Sequence, residues 1–285
     1  MGGMGREAVR MSAAGYLEAE DGAKIYYEDR GTGRPIVLVH GWTCSSRFWR
    51  KNVPELEREF RVVTPDLRGH GNSSKTLTGH TIGQYARDVR RVIEQLGLQD
   101  TFLAGWSMGG PVVLSYYRQY AMDSRLKAIG LVDTNPFPFS AAEWNSHALR
   151  NYNYDGMHAM FAAYAADRGK FAAGFTERMF QQKPSRADVD WIVAELLKTP
   201  AWIALAAYSD YLMSDLSGTL ASANVPVAVF AANSDIFPSG IAMGKALAGM
   251  AARGTCVPFE DAGHLLFYEQ AQKFNAALAA FMKGL

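Results

Sequence analysis

The sequence predicts an α/β protein: a doubly wound, mostly parallel sheet of eight strands, with a block of helices inserted late in the chain. Three observations predict it. A short apolar run without polar alternation, Pro35–Val39, reads as a strand covered on both faces, and further strand-like runs such as Leu126–Val132 recur along the chain. Segments with apolar residues every three or four positions follow most of these runs, as helices packed on such a sheet must. Between Asn135 and Asn224 the strand signal vanishes and only helical periodicity remains.

The first 15 residues are rich in Gly, Met and Ala and read as a frayed extension. Tyr16–Glu20 and Ala23–Glu28 flank Asp21-Gly22, a dipeptide suited to a two-residue hairpin turn, and predict an antiparallel edge. Strands are then expected at Pro35–Val39, Phe60–Thr64, Thr101–Ala104 and Leu126–Val132. Helices are expected at Thr81–Leu96, with its apolar stripe from Ile82 to Leu96, and at Pro111–Tyr120. After the insertion come strand Val225–Ala231, helix Gly240–Ala252, strand Thr255–Phe259 and a closing helix Glu269–Met282. The expected organisation is one discontinuous core, residues 16–135 and 224–285, with an aromatic-rich helical cap at 136–223.

Composition narrows the function classes. With 285 residues, 48% hydrophobic and 20% charged, the chain is neither disordered nor fibrous. Lys plus Arg number 29 against 28 Asp plus Glu, so no net field favours nucleic acid or an anionic membrane. Cys44 and Cys256 stand far apart, without Cys or His at zinc-ligand spacing; neither a disulfide framework nor a metal is expected. No secretory leader, myristoylation pattern or membrane-length apolar run is present, and a cytoplasmic location is expected.

The chemistry concentrates at Gly105-Trp106-Ser107-Met108-Gly109, a G-x-S-x-G at a predicted strand-to-helix turn. A nucleophile there sits on a strained backbone, and the glycines remove Cβ atoms that would collide with neighbouring chain. Serine needs a base, and His264, in the loop after the last strand, occupies the end of the sheet where such sites form. The base needs a carboxylate. Asp235, after strand Val225–Ala231, gives the order Ser107…Asp235…His264; Asp133, after the preceding strand, is the rival. Oxyanion donors are expected from the backbone N–H groups of Met108 and of Trp42, in the His40–Thr43 loop. His40 and His70 read as structural.

On these motifs, with the loop Asp66–Ser73 (DLRGHGNS), the chain resembles the α/β-hydrolase superfamily from about Tyr16 to Phe281. The Gly-Trp-Ser-Met-Gly-Gly form is similar to small esterases, lactonases and cofactor-free bacterial haloperoxidases or perhydrolases. The resemblance implies a serine triad under a helical cap, no cofactor, and cleavage of a small-molecule ester or lactone with an apolar acyl or aryl part. Dehalogenases and epoxide hydrolases of this fold carry Asp where this chain has Ser107. Trp42, Trp106, Phe137, Phe139, Trp144, Trp202, Tyr208, Tyr211, Phe237 and Leu265 are the expected pocket lining. C–C bond hydrolysis, perhydrolysis and a hydrolase-fold small-molecule receptor remain open alternatives.

Overall fold

A computed structural model describes residues 12–121 and 124–285. The chain runs β1 (Ser12–Glu18), β2 (Lys24–Arg30), β3 (Pro35–Val39), α1 (Val53–Leu56), β4 (Arg61–Pro65), α2 (Ile82–Gln95), β5 (Thr101–Trp106), α3 (Gly109–Tyr120) and β6 (Leu126–Val132). It continues through α4 (Tyr154–Ala166), α5 (Arg168–Met179), α6 (Arg186–Leu196) and α7 (Ala201–Met213). It closes with β7 (Val227–Ala232), α8 (Gly240–Met250), β8 (Gly254–Phe259), α9 (Leu266–Glu269) and α10 (Ala271–Lys283).

All eight strands form one sheet in the order β1-β2-β4-β3-β5-β6-β7-β8. β1–β2 and β2–β4 pair antiparallel, and every other pair is parallel. Strand alternation divides the apolar residues between two cores. Val37, Val39, Leu103, Ile129 and Val229 face α2, α3 and α8; Ile36, Leu38, Phe102, Val132 and Phe230 face α1, α9 and α10. Both faces are thus covered, which is why β3, β5 and β7 carry buried residues throughout.

Three expectations are corrected. The extension expected over residues 1–15 is already strand from Ser12; residues 1–11 lie outside the described residues. The opening hairpin has no two-residue turn. Its strands are joined through 19–23, with Ala19 N–H donating to Ala23 O and only Gly22 at positive φ (81°), where the tight turn needs two such residues. The closing helix begins at Ala271 instead of Glu269, because Gln270 (φ −112°, ψ 51°) leaves the helical region and separates it from the short α9.

Between β6 and β7 four helices occupy Tyr154–Met213, while the stretches 136–153 and 214–226 are mostly looped and turned. Side-chain caps start three of these helices: Asn153 on Gly156 N, Asp167 on Lys170 N and Ser185 on Asp188 N. Among the described residues no helix is long and apolar enough to cross a membrane.

Candidate active site

The parallel strands deliver their loops to one edge, and the site is assembled there. β5 ends at Trp106, and Ser107 takes φ 54°, the left-handed region that costs a non-glycine residue energy. The surroundings hold it. Ser107 N–H donates to Val132 O, and Ser107 O accepts from Thr134 Oγ1 at 2.5 Å and from Gly110 N–H at 2.9 Å. A Cβ on Gly105 would overlap the Gly109 carbonyl, and one on Gly109 would lie 2.6 Å from Val39 O. Glycine at both positions is what lets strand, turn and helix approach this closely.

The loop after β3 lies against Ser107. A Cβ on Gly41 would stand 3.0 Å from Ser107 Cβ. His40 braces this loop as an internal strut: its Nε2 accepts from Leu67 N–H (2.9 Å), so Nδ1–H donates to Gly41 O (2.8 Å). Burial holds its pKa below the ordinary imidazole value. Leu67 belongs to the Asp66–Ser73 loop, where Asp66 accepts from Ser46 N–H and Asn72 N–H at 2.6 and 2.7 Å. That motif therefore supports the site from behind. Among the described residues neither Trp42 N–H nor Met108 N–H has an acceptor within the protein.

His264 follows β8 and is buried. Its ring packs on Trp106 (5.2 Å between centroids) and Phe237 (5.4 Å), and Trp106 Nε1–H donates to its carbonyl. The helical insertion clamps the same loop: Leu265 N–H donates to Met179 O, and Glu269 accepts from Gly263, Gln181 and Gln182 N–H.

The acid beside His264 is not the one expected. His264 Nδ1 is 2.6 Å from Asp133 Oδ2, while Asp133 Oδ1 accepts from Ala232 N–H at 3.0 Å. Asp133 is turned inward by a left-handed backbone, φ 38°, directly after β6. Asp235 stands in an exposed turn after β7, closed by Ser234 N–H to Phe237 O, and contributes to the pocket wall. Burial pushes the Asp133 carboxyl above the usual range, and the bonds from His264 and Ala232 pull it back.

A cavity of about 250 Å³ opens on Ser107. Of the expected lining, Trp42, Tyr208, Tyr211 and Phe237 border it. The other six do not. Trp106 and Leu265 are buried beneath the site, and Phe139 is buried against Tyr152 and Tyr154. Phe137 packs on Tyr152, Trp144 borders a separate surface groove, and Trp202 faces outward against His80. Sequence reasoning missed His147, Leu149, Asn153, Met160, Phe171, Phe175, Arg178 and Ile236 as lining. No motif marks them: four lie in loops, and for those on helices the periodicity of a short helix does not reveal which neighbour each face meets.

Trp42 reaches upward into the insertion. Its Nε1–H donates to Ala204 O at 2.7 Å, and its ring packs with Tyr164, Phe171, Phe175 and Tyr208. Among the described residues no group of three or more His, Cys, Asp or Glu is placed to hold a metal ion.

A family model described as the alpha/beta hydrolase fold matches residues 34–271. The chain belongs to the alpha/beta hydrolase fold family. A member from Bacillus subtilis (strain 168), described as AB hydrolase superfamily protein YisY, is 31% identical over 268 residues, covering 93% of this chain and 98% of the relative. Another, the bifunctional esterase/perhydrolase DCH of Acinetobacter calcoaceticus, is 28% identical over 95% of this chain and 100% of its own. Among solved structures of the alpha/beta hydrolase fold, an esterase from Exiguobacterium antarcticum superposes with a TM-score of 0.87 at 25% identity. That match covers 95% of this chain and 100% of the esterase.

Proposed function

We propose that the protein hydrolyses a carboxylic ester or lactone through an acyl-enzyme on Ser107, with His264 as base and Asp133 as its orienting acid. The observation that carries this reading is the short His264 Nδ1–Asp133 contact behind a strained serine that borders a cavity. Because Nδ1–H is committed to Asp133, the neutral imidazole carries its free lone pair on Nε2, the opposite side of the ring. Nε2 takes the proton as Ser107 Oγ attacks the substrate carbonyl. Asp133 then faces an imidazolium, and a buried carboxylate gains most from that opposite charge.

The developing oxyanion rests on Trp42 N–H and Met108 N–H, both lacking a protein acceptor among the described residues. Removing one such donor typically costs about 2.7–4 kcal/mol of transition-state stabilisation. His264 returns its proton to the leaving alcohol, then activates the water that releases the acid. Residues 136–223 act as a cap in this reading. They supply most of the cavity wall, while Ser107, Asp133 and His264 come from the sheet on either side of the insertion. The substrate is a small molecule, with an apolar acyl or aryl part against Trp42, Phe171, Phe175 and Phe237.

The esterase/perhydrolase relative supports a second outcome on the same acyl-enzyme, in which hydrogen peroxide replaces water and the product is a peracid. The test is turnover of p-nitrophenyl esters and simple lactones by purified protein. We expect hydrolysis that Ser107→Ala abolishes; turnover unaffected by that substitution overturns the proposal.

A further inference from the structure

The cavity wall contains a buried imidazole with no part in the proton relay. His147 is 7% exposed and borders the same cavity as Ser107. It is firmly built in. Its backbone N–H donates to Asn145 Oδ1 at 2.9 Å, and its carbonyl accepts from Arg150 N–H at 3.0 Å. Asn145 in turn bonds Asn135 Nδ2 (2.6 Å) and the carbonyls of Pro138 and Ser140. This network ties the loop 135–150 to the strand end that carries Asp133.

The ring itself is fixed as well. Its Nδ1 accepts from Leu149 N–H at 3.0 Å, and one face packs on Phe237 at 5.7 Å between centroids. With Nδ1 committed as acceptor, the ring proton of neutral His147 lies on Nε2. Among the described residues this Nε2–H has no acceptor. Burial, with a smaller contribution from neighbouring His264, lowers the His147 pKa to about 4, so the ring stays neutral near pH 7. His147 therefore offers the wall a preset neutral donor, held beside the Phe237 ring. A donor that a bound ligand shields from water without pairing is costly, so a ligand that supplies an acceptor is favoured over one that does not.

We propose that His147 determines specificity by donating from Nε2–H to an oxygen of the substrate beyond the scissile carbonyl, selecting oxygen-bearing acyl groups or lactones over their hydrocarbon counterparts. This rests on the ester-hydrolase reading above and narrows its substrate class to esters with an ether, keto or ring oxygen in the part that fills the cavity.

The test compares p-nitrophenyl pentanoate with isosteres in which an ether oxygen replaces the third or the fourth carbon of the chain, the carbonyl carbon counted as the first. Each is measured with wild type, His147→Phe and His147→Gln. The wild type should favour at least one oxygen-bearing ester after correction for its intrinsic hydrolysis rate. Relative to pentanoate, His147→Phe should lower kcat/KM for that ester by about tenfold, the order expected for one hydrogen bond. His147→Gln, which retains an N–H donor, should recover most of the loss. A wild type with no preference at any position overturns the proposal without reference to a variant. So does an equal loss on all esters in His147→Phe. If pentanoate is still turned over in a Ser107-dependent way, only the role of His147 falls; if no ester is turned over, the parent reading falls with it.

Discussion

At the residue scale the decisive feature is which carboxylate meets His264. Asp133 and Asp235 follow β6 and β7, neighbouring parallel strands, so both leave the same edge of the sheet. Either one satisfies the chain order Ser…Asp…His, and no local pattern in the sequence separates them. Packing separates them: Asp133 is buried and bonded to His264 and Ala232, while Asp235 sits in an exposed turn. Asp133→Asn should therefore lower kcat on a p-nitrophenyl ester by about 10³–10⁴-fold, the order seen when a triad acid is neutralised and the imidazole tautomer is lost. Asp235→Asn should change kcat by less than about tenfold. Steady-state kinetics on the two variants check this, and the reverse order of effects would return the role to Asp235. Ser107 and His264 were legible because G-x-S-x-G and the last strand loop are local signals. Five aromatic residues and Leu265, named as lining, point elsewhere because their facing depends on contacts far away in sequence.

At the scale of elements, legibility followed local chemistry. β3 and β6 occupy the spans that their mostly apolar sequences predict, and α2 starts where Thr81 caps Gln84 N–H. The opening hairpin and closing helix departed for tertiary reasons. β1 extends back to Ser12 because β2 offers partners as far as Arg30, and pairing overrides the weak propensity of Ser12–Gly15. The closing helix breaks before Ala271 where Glu269 turns its carboxylate to three backbone N–H groups, of Gly263, Gln181 and Gln182. That one side chain joins the His264 loop to the end of α5. The position of His264 thus depends on the inserted helices as well as on the sheet.

Across the whole molecule, two cores on opposite faces of one sheet hold the site, and neither half of the chain contains it alone. Ser107 and Asp133 precede the four inserted helices and His264 follows them. Four buried imidazoles also give the fold an acid sensitivity. Burial lowers the pKa of His40, His70, His80 and His147, the last to about 4. Unfolding returns each toward about 6.5, so the unfolded chain binds more protons and stability falls as pH drops from about 6.5 toward 4. His147 alone accounts for about 3 kcal/mol of that loss. The raised carboxyls of Asp133 and Glu269 act in the opposite sense and offset part of it. Chemical denaturation between pH 7.5 and 4.5 should show this decline, shallower in His147→Gln; a pH-independent stability would contradict it.

The central claim is that Ser107 is the nucleophile, held by this elbow and served by His264. The most direct measurement is the mass of the intact protein after exposure to a fluorophosphonate, followed by peptide mapping. One phosphonyl group per chain on Ser107, with none on Ser107→Ala, is the predicted result. A label on another residue, or one that survives the substitution, would contradict the account.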